Sequence, residues 1–101
     1  MYVYNITTKI EKQVSADWIT WQRQMSIPEI METKLFTEYK FFELINGGDE
    51  DGNTYVIQYY FGDLSDYEKY IHQYSKYHSQ KTFSKWGDQF VSFSTIMRTV
   101  Q

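Results

Sequence analysis

The chain has 101 residues, a net charge of −3 and no cysteine, and 20% of its residues are Phe, Trp or Tyr. The missing cysteine excludes disulfides, thiolate metal sites and cysteine nucleophiles, and the scattered charges include no basic block for binding nucleic acid. No run approaches the roughly 18 apolar residues of a membrane span and no signal region opens the chain, so we expect a cytoplasmic protein without a membrane partner.

In the first third of the chain, the apolar side chains first alternate as in a strand and then recur at helical spacing. Residues 1–10 place apolar and polar side chains in turn, which is the pattern of a strand. Ser15 then offers a side-chain oxygen that suits a helix N-cap. Pro28 lacks an N–H and disfavours helical geometry at the residue before it. We therefore expect the first helix to run from Ala16 to about Met25, and a short second turn to start at Pro28.

Two β-type segments follow, joined by a polar connection. Leu35–Ile45 and Thr54–Phe61 are rich in Phe, Tyr and Ile, which predicts the two strands of a hairpin. The connection, residues 46–53, is punctuated by glycine. Its acidic run Asp49-Glu50-Asp51 lacks the alternating ligand spacing of a calcium loop, so we interpret it as part of a solvated hairpin.

The last third predicts a second helix and a fourth strand. Ser65 and Glu68 have the spacing of a capping box, tyrosines recur after them at helical intervals, and Gly87 suits a C-terminal stop. Phe90–Val100 has the character of the last strand. The order βαββαβ predicts a single α+β domain over residues 1–101. Its expected architecture is ferredoxin-like, a four-stranded antiparallel sheet with both helices on one face.

Each predicted strand has one more apolar set of side chains and one mixed set. We assign the apolar sets to the helix side: Tyr2, Tyr4, Ile6, Ile10, Leu35, Tyr39, Phe41, Ile45, Tyr55, Ile57, Tyr59, Phe61, Val91, Phe93 and Met97. We assign the mixed sets to the open face: Val3, Asn5, Thr7, Phe36, Glu38, Lys40, Phe42, Leu44, Val56, Gln58, Tyr60, Phe90, Ser92, Ser94 and Ile96.

This open face is the reason to expect assembly. A solvated sheet face is normally polar, whereas this one carries several Val, Phe, Leu and Ile side chains. The strand at 35–45 should also be a long, apolar sheet edge, which proteins seldom leave bare. Both features predict a homodimer formed through the sheet face.

Motifs along the whole chain carry a family resemblance: Tyr4-Asn5-Ile6-Thr7, Trp18-x-x-Trp21, Ile27-Pro28-Glu29, Leu35-Phe36-Thr37-Glu38-Tyr39, Thr54-Tyr55, Gln58-Tyr59, Asp66-Tyr67-Glu68 with Tyr70, and Gly87-Asp88-x-Phe90-Val91 with Phe93 and Thr95. With them the chain resembles the dimeric α+β barrel superfamily, in which two ferredoxin-like subunits pack sheet to sheet. Within it the chain resembles a bacterial family known only as a domain of unknown function.

Three positions depart from the pattern of that family. A His commonly precedes the Ile-Pro-Glu motif, a Gly precedes Leu-Phe, and an Arg precedes the final Thr. This chain has Ser26, Lys34 and Ser94 at those places. If the His and the Arg serve a function in relatives, the resemblance implies that this chain has lost it.

Polar side chains on the predicted open face are the main site candidates: Asn5, Glu38, Lys40, Gln58, Tyr60, Ser92 and Ser94. Two interpretations stay open. These groups satisfy one another's hydrogen bonds across the dimer, which we favour, or they line a pocket between the two sheets and orient a small molecule. The predicted ligand-lining residues, with one histidine of the second helix added, are Asn5, Glu38, Gln58, Tyr60, Ser94 and His78.

The sequence does not point to a definite chemistry. Trp18 and Trp21 lie one turn apart, and we interpret them as core packing rather than as a stacking wall. No Ser-His-Asp set, phosphate-binding glycine loop or carboxylate pair is evident, so we name no catalytic residue, no cofactor and no metal site and favour a protein that is not an enzyme. The prediction is a small-molecule-binding or structural module. The aromatic surplus favours a flat, largely apolar molecule as any ligand.

The resemblance to the superfamily implies an alternative, a cofactor-poor monooxygenase or a haem-degrading enzyme. For haem, Asn5 and His78 lie at places comparable to those in haem-degrading relatives. We predict against it on three grounds. First, the Trp expected on the second helix is a tyrosine, Tyr67 or Tyr70. Second, Asn5 lies on the mixed face of its strand, away from the helices. Third, Tyr74 is the only evident neighbour one turn earlier that could orient the ring of His78.

Overall fold

The computed structural model describes residues 1–46 and 50–101 of the chain. The strands are β1 (Tyr2–Glu11), β2 (Glu38–Glu43), β3 (Gly52–Phe61) and β4 (Phe90–Arg98), and the helices are α1 (Ser15–Trp21), α2 (Ile27–Glu32), α3 (Leu64–Gln73) and α4 (Ser75–Trp86). The strands form one antiparallel sheet in the order β2-β3-β1-β4. The predicted ferredoxin-like α+β fold is confirmed.

The hairpin and the edge strand agree with the sequence. β2 pairs with β3 in antiparallel register and lies at one edge of the sheet, as predicted. It is shorter than expected, because it ends at Glu43, and Ile45 beyond it is 99% exposed instead of facing the helices. Of the acidic run in the connection, Asp49 lies outside the described residues.

The side assignment of β4 was wrong. In the register with β1, Thr8 opposes Ser92, Ile6 opposes Ser94 and Tyr4 opposes Ile96. Because opposing residues share a face, the predicted open-face set of β4 faces the helices. The predicted helix-side set lies instead on the open face and is largely exposed: Val91 (71%), Phe93 (62%) and Met97 (41%). The pairing register, rather than apolar content, sets the side.

Phe36 was also placed on the wrong side. The residue precedes β2, so the alternation of that strand does not extend to it. Its ring is 4% exposed and contacts Tyr70 and Tyr59 at centroid distances of 5.2 and 5.3 Å. Phe36 is therefore part of the aromatic core between the sheet and the helices, not part of the open face.

Pro28 does not stop the first helical segment. A π-helix over Gln22–Ser26 connects α1 to α2, and the amide of Ile27 donates to the carbonyl of Gln22, five residues earlier. Pro28 then lies in the first turn of α2, directly after the widened turn, and the backbone stays helical through Ser26 and Ile27. The short second element was predicted to start at Pro28 and starts at Ile27, but a widened turn, and not a helix end, separates it from α1.

The second helical segment is capped and divided differently from the prediction. Oδ1 of Asp63, not Ser65, forms the cap, accepting a hydrogen bond from the Ser65 amide at 2.8 Å. The segment breaks at Tyr74 into α3 and α4. Gly87 ends α4 with a positive φ of 58°, so the predicted glycine stop is confirmed.

Lys34 generates a stability prediction, because it is the described non-glycine residue with positive φ, at 64°. A Cβ is strained in this region and glycine is not. We expect Lys34→Gly to stabilise the fold by about 0.5–1 kcal/mol and raise the melting temperature by a few degrees. Lys34→Ala keeps the Cβ and should give no such gain. Equal melting temperatures for the two variants would contradict the strain argument.

Candidate functional site

A cavity of about 340 Å³ lies between the sheet and the helices. Its lining falls into an aromatic set and a hydroxyl set. The aromatic set is Tyr4, Trp18, Tyr59, Tyr70 and Phe90, and the hydroxyl set is Thr8, Ser26, Ser75, Ser79, Thr82, Ser92 and Ser94. Phe93 also borders the cavity, although the register of β4 places it on the open face. Ile6, Gln22, Ile30, Ile57 and His78 complete the lining. Among these described lining residues none is an Asp, Glu, Lys or Arg.

The π-helix and the register of β4 both contribute to this lining. The widened turn turns Gln22 and Ser26 inward, where both are buried, and π-turns often occur at functional sites. The reversed side of β4 supplies Ser92 and Ser94, and the Thr8 hydroxyl donates to the Ser92 hydroxyl at 3.3 Å. Two of the places where the sequence argument failed thus contribute polar groups to the cavity, Gln22 and Ser26 from the π-helix and Ser92 and Ser94 from β4.

Two lining residues carry buried donors without a partner. The indole N–H of Trp18 and the hydroxyl of Tyr59 make no hydrogen bond within the described parts of the chain. Trp18 is 1% exposed, and Tyr59 is fully buried. A buried donor without an acceptor costs about 1–3 kcal/mol, so the fold leaves polar capacity beside the cavity unused. The prediction that Trp18 is a core residue is confirmed, and it is a lining residue as well.

Tyr70 and His78 form the most polar contact of the lining. The Tyr70 hydroxyl lies 2.8 Å from Nδ1 of His78, and the two rings stack with a centroid distance of 5.7 Å. The break at Tyr74 brings the hydroxyl alongside a histidine eight residues later. Tyr74, predicted as the neighbour one turn earlier, stacks on His78 with a centroid distance of 6.4 Å, and Tyr70 is a further partner. Burial raises the pKa of Tyr70, so its hydroxyl stays protonated.

A charged pair lies behind His78. Lys81 donates to Oε1 of Glu29, and Oε2 of Glu29 lies 4.0 Å from Nε2 of His78. Burial lowers the pKa of His78, Glu29 opposes this shift, and Lys81 adds to it. Since burial is the largest cause, His78 is neutral at pH 7. The hydrogen bond to Glu29 raises the pKa of Lys81, which keeps that pair charged.

The open face carries a second set of polar contacts, here called the polar strip: Asn5, Thr7, Gln58 and Tyr60. Tyr60 donates to Oε1 of Gln58, Gln58 donates to Asn5 Oδ1 at 3.2 Å, and Asn5 donates to Thr7 Oγ1 at 3.3 Å. Glu38 opposes Tyr60 in the register. The strip therefore satisfies much of its own hydrogen-bonding capacity within one chain.

The structure divides the predicted site residues between the two faces of the sheet. Asn5, Glu38, Gln58 and Tyr60 belong to the open face, whereas Ser94 and His78 line the cavity. They do not form one site. Sequence reasoning missed Tyr70, Gln22 and Tyr59 as lining residues. One signal did exist, because Ser26 and Ser94, two of the three departures from the family pattern, both line the cavity.

The chain matches one family model and several solved structures. The model of the family described as Domain of unknown function (DUF4286) matches residues 1–100. The chain belongs to this family. No curated protein matches the DUF4286 chain. None of the helices in its described part is long and apolar enough to cross a membrane. Within residues 1–46 and 50–101, no three His, Asp or Glu side chains gather as metal ligands.

Solved structures share the fold of the DUF4286 chain at low identity. A dimeric ferredoxin-like protein from an uncultured marine organism has a TM-score of 0.72 at 8% identity, covering 100% of this chain and 96% of that one. SnoaB, a cofactor-independent oxygenase from Streptomyces nogalater, has 0.69 at 11%, covering 99% and 94%. An ethyl tert-butyl ether d (ethd) family protein from Bacillus halodurans has 0.66 at 12%, covering 99% and 100%. These neighbours show that the chain shares the ferredoxin-like fold.

The lowered pKa of His78 predicts a pH dependence of stability. An unfolded chain protonates this histidine near pH 6.5, whereas the folded chain does so only at lower pH. Stability should therefore be complete above about pH 6.5 and should fall as the pH drops below that value. Urea unfolding at pH 7.5 and 5.5 should show a smaller fall in His78→Gln than in the unmutated protein. His72→Gln, at an exposed position, is the control and should retain the full fall. An unchanged fall in His78→Gln would contradict this assignment.

Proposed function

We propose that the cavity binds a planar, largely apolar small molecule and that the chain is a small-molecule-binding module. The observation that carries this is the cavity itself, about 340 Å³ in volume and lined by aromatic and hydroxyl side chains without a fixed charge. This volume falls at the lower end of the range of small-molecule pockets. The proposed site lies on the helix side of the sheet, not between two sheets.

The aromatic set favours a planar ligand. Tyr4 and Tyr70 pack with ring centroids 5.6 Å apart, and Tyr4 and Tyr59 with centroids 6.3 Å apart. Rings held in this way offer faces and edges against which another ring packs favourably. A flexible aliphatic ligand would also lose more conformational freedom on binding.

The polar lining favours a ligand that carries neutral hydrogen-bonding groups. Hydroxyl side chains donate and accept, so they suit carbonyl or hydroxyl substituents on a ring. Phosphate or carboxylate ligands are disfavoured, because no Lys or Arg is among the described lining residues. A ligand oxygen beside Trp18 or Tyr59 would also give an unpartnered donor an acceptor.

We also propose a homodimer through the open face. Phe42 (45% exposed) and Phe93 (62%) lie on this face with Val56, so it presents apolar side chains of three strands. The polar strip crosses the same face and can fix the register of two copies. Neighbours described as dimeric ferredoxin-like proteins support this assembly. The cytoplasmic location and the bacterial source expected from the sequence stay predictions.

A cofactor-independent oxygenase is the second candidate function. The feature that favours it is a neutral His78 in the wall of an aromatic cavity, together with neighbours described as oxygenases or monooxygenases. Haem chemistry is less favoured. Asn5 lies on the open face, away from the helices, and Nδ1 of His78 is already in contact with Tyr70.

Ligand binding can be tested with planar aromatic compounds and two neighbouring positions of α4. Ser79 lines the cavity, whereas Gln80 is exposed on another side of α4, where it borders a second, more open cavity with Trp21 and Tyr77. Hydroxylated naphthalenes should raise the melting temperature of the unmutated protein and quench tryptophan fluorescence. Ser79→Phe should weaken this binding at least tenfold, because the ring occupies ligand space, and Gln80→Phe should not. A response to sugar phosphates alone would contradict the proposal. Oxygen consumption with the bound compound would favour the oxygenase candidate.

The dimer can be tested at Val56, which opposes Thr7 and Phe42 on the open face. We expect a dimer mass by light scattering at ~100 μM, well above the roughly micromolar Kd of a modest interface. Val56→Lys should give a monomer, because it buries an unpaired charge in the interface. Ile71→Lys is the control, at a half-exposed apolar residue of α3, and should remain dimeric. A monomer mass for the unmutated protein would rule the assembly out.

A further inference from the structure

We infer that Tyr70 and His78 form a proton-accepting pair for a ligand with a weakly acidic hydroxyl, a phenol or an enol, which the cavity then holds as its anion. This inference rests on the proposed function, since it names the class of molecule that the cavity takes. Beyond the shape and polarity of the cavity, it specifies a proton transfer among the ligand hydroxyl, the Tyr70 hydroxyl and Nδ1 of His78.

The geometry of the pair suits a proton transfer. Both side chains line the cavity, and the Tyr70 hydroxyl lies 2.8 Å from Nδ1 of His78. A tyrosine hydroxyl has one proton to donate and two lone pairs to accept with. When its proton points to Nδ1, the lone pairs remain available to the hydroxyl of a ligand.

The protonation states before binding follow from burial. Tyr70 is 2% exposed and keeps its proton, so it is not itself the base. The side chain of His78 is 10% exposed and neutral at pH 7. A neutral imidazole that accepts at Nδ1 carries its proton on Nε2, which faces Oε2 of Glu29 at 4.0 Å.

The step moves two protons and leaves every atom accounted for. The ligand O–H bond breaks, and its proton forms a new O–H bond on Tyr70. The former Tyr70 O–H bond breaks at the same time, and that proton forms an N–H bond at Nδ1 of His78. The ligand keeps the electron pair as a phenolate or enolate, and His78 becomes an imidazolium. No oxidant or reductant takes part.

The surroundings compensate the new charges. Glu29 faces the imidazolium from α2, and Lys81 stays paired with Glu29 from α4. The other titratable groups around His78 are Tyr70, Tyr74 and Tyr77, with Tyr4 and Tyr59 across the cavity on the sheet. Burial raises the pKa of Tyr4, Tyr59 and Tyr70, so these three hydroxyls keep their protons at pH 7. Phenolate and imidazolium form one pair and Glu29 and Lys81 the other, so no net charge is added.

Absorption spectroscopy of a bound phenol tests the inference. The probe is 4-nitrophenol, whose phenolate absorbs at longer wavelength than the phenol, and its methyl ether 4-nitroanisole has no proton to give. Because the proton stays in the site on His78, the ratio of bound phenolate to bound phenol should not follow the pH. At a pH where the free compound is mainly phenol, we expect this ratio to be about tenfold higher for the bound than for the free compound. The imidazole ring carbons of His78 should then report an imidazolium by NMR.

Three variants separate the proton transfer from binding and folding. Tyr70→Phe keeps the ring without the hydroxyl, His78→Gln keeps a polar side chain without a base, and His72→Gln is the control. We expect the first two to lose the excess of bound phenolate, while the control keeps it. Because Tyr70 and His78 also line the cavity, the affinity for 4-nitroanisole is measured for each variant, and the phenolate fraction is compared at saturating 4-nitrophenol. The same ionisation in all four proteins would overturn this inference alone. Failure of the unmutated protein to bind either compound would overturn the proposed function, and this inference with it.

Discussion

The antiparallel pairing of β1 with a strand on each side is the constraint on which the rest of the molecule depends. Tyr4 opposes Tyr59 on one side and Ile96 on the other, and this register decides which side chains face the helices. On that side the rings of Tyr4, Tyr59 and Tyr70 form the core. A shift of one residue in β4 would bring Val91, Phe93 and Thr95 to the side now occupied by Ser92 and Ser94, and the cavity would lose the hydroxyl groups that β4 contributes.

The structure gives a physical context to the three positions at which the chain departs from the pattern that the resemblance implies. Ser26 on the π-helix and Ser94 on β4, the positions at which the resemblance implies His and Arg in relatives, both line the cavity. With serine at both places, His78 is the histidine among the described lining residues. Lys34, where the resemblance implies a glycine, has a φ of 64°, a backbone conformation that favours glycine.

The order of the elements, the edge position of β2 and the stop at Gly87 were predictable, because each rests on local period or local backbone preference. The sides of β4 were not. Apolar content indicates a buried side only where helices pack tightly, and here a hydroxyl-lined cavity lies beneath the strand. The contact of Tyr70 with His78 could not be predicted from the sequence either, because it depends on the break of the helical segment at Tyr74.

Polar groups on the open face hydrogen-bond to one another, whereas some on the helix side have no partner, and this difference separates the roles of the two faces. On the open face the polar strip joins Tyr60, Gln58 and Asn5 in a continuous chain of hydrogen bonds, so little capacity is left for a ligand. On the helix side Trp18 and Tyr59 keep unpartnered donors beside a cavity. On the open face, apolar side chains surround a polar strip whose hydrogen bonds are made within the chain, which suits contact with another protein. On the helix side, donors without a partner border the cavity, which suits a small molecule. One sheet can therefore support assembly on one side and binding on the other, with β4 contributing to both.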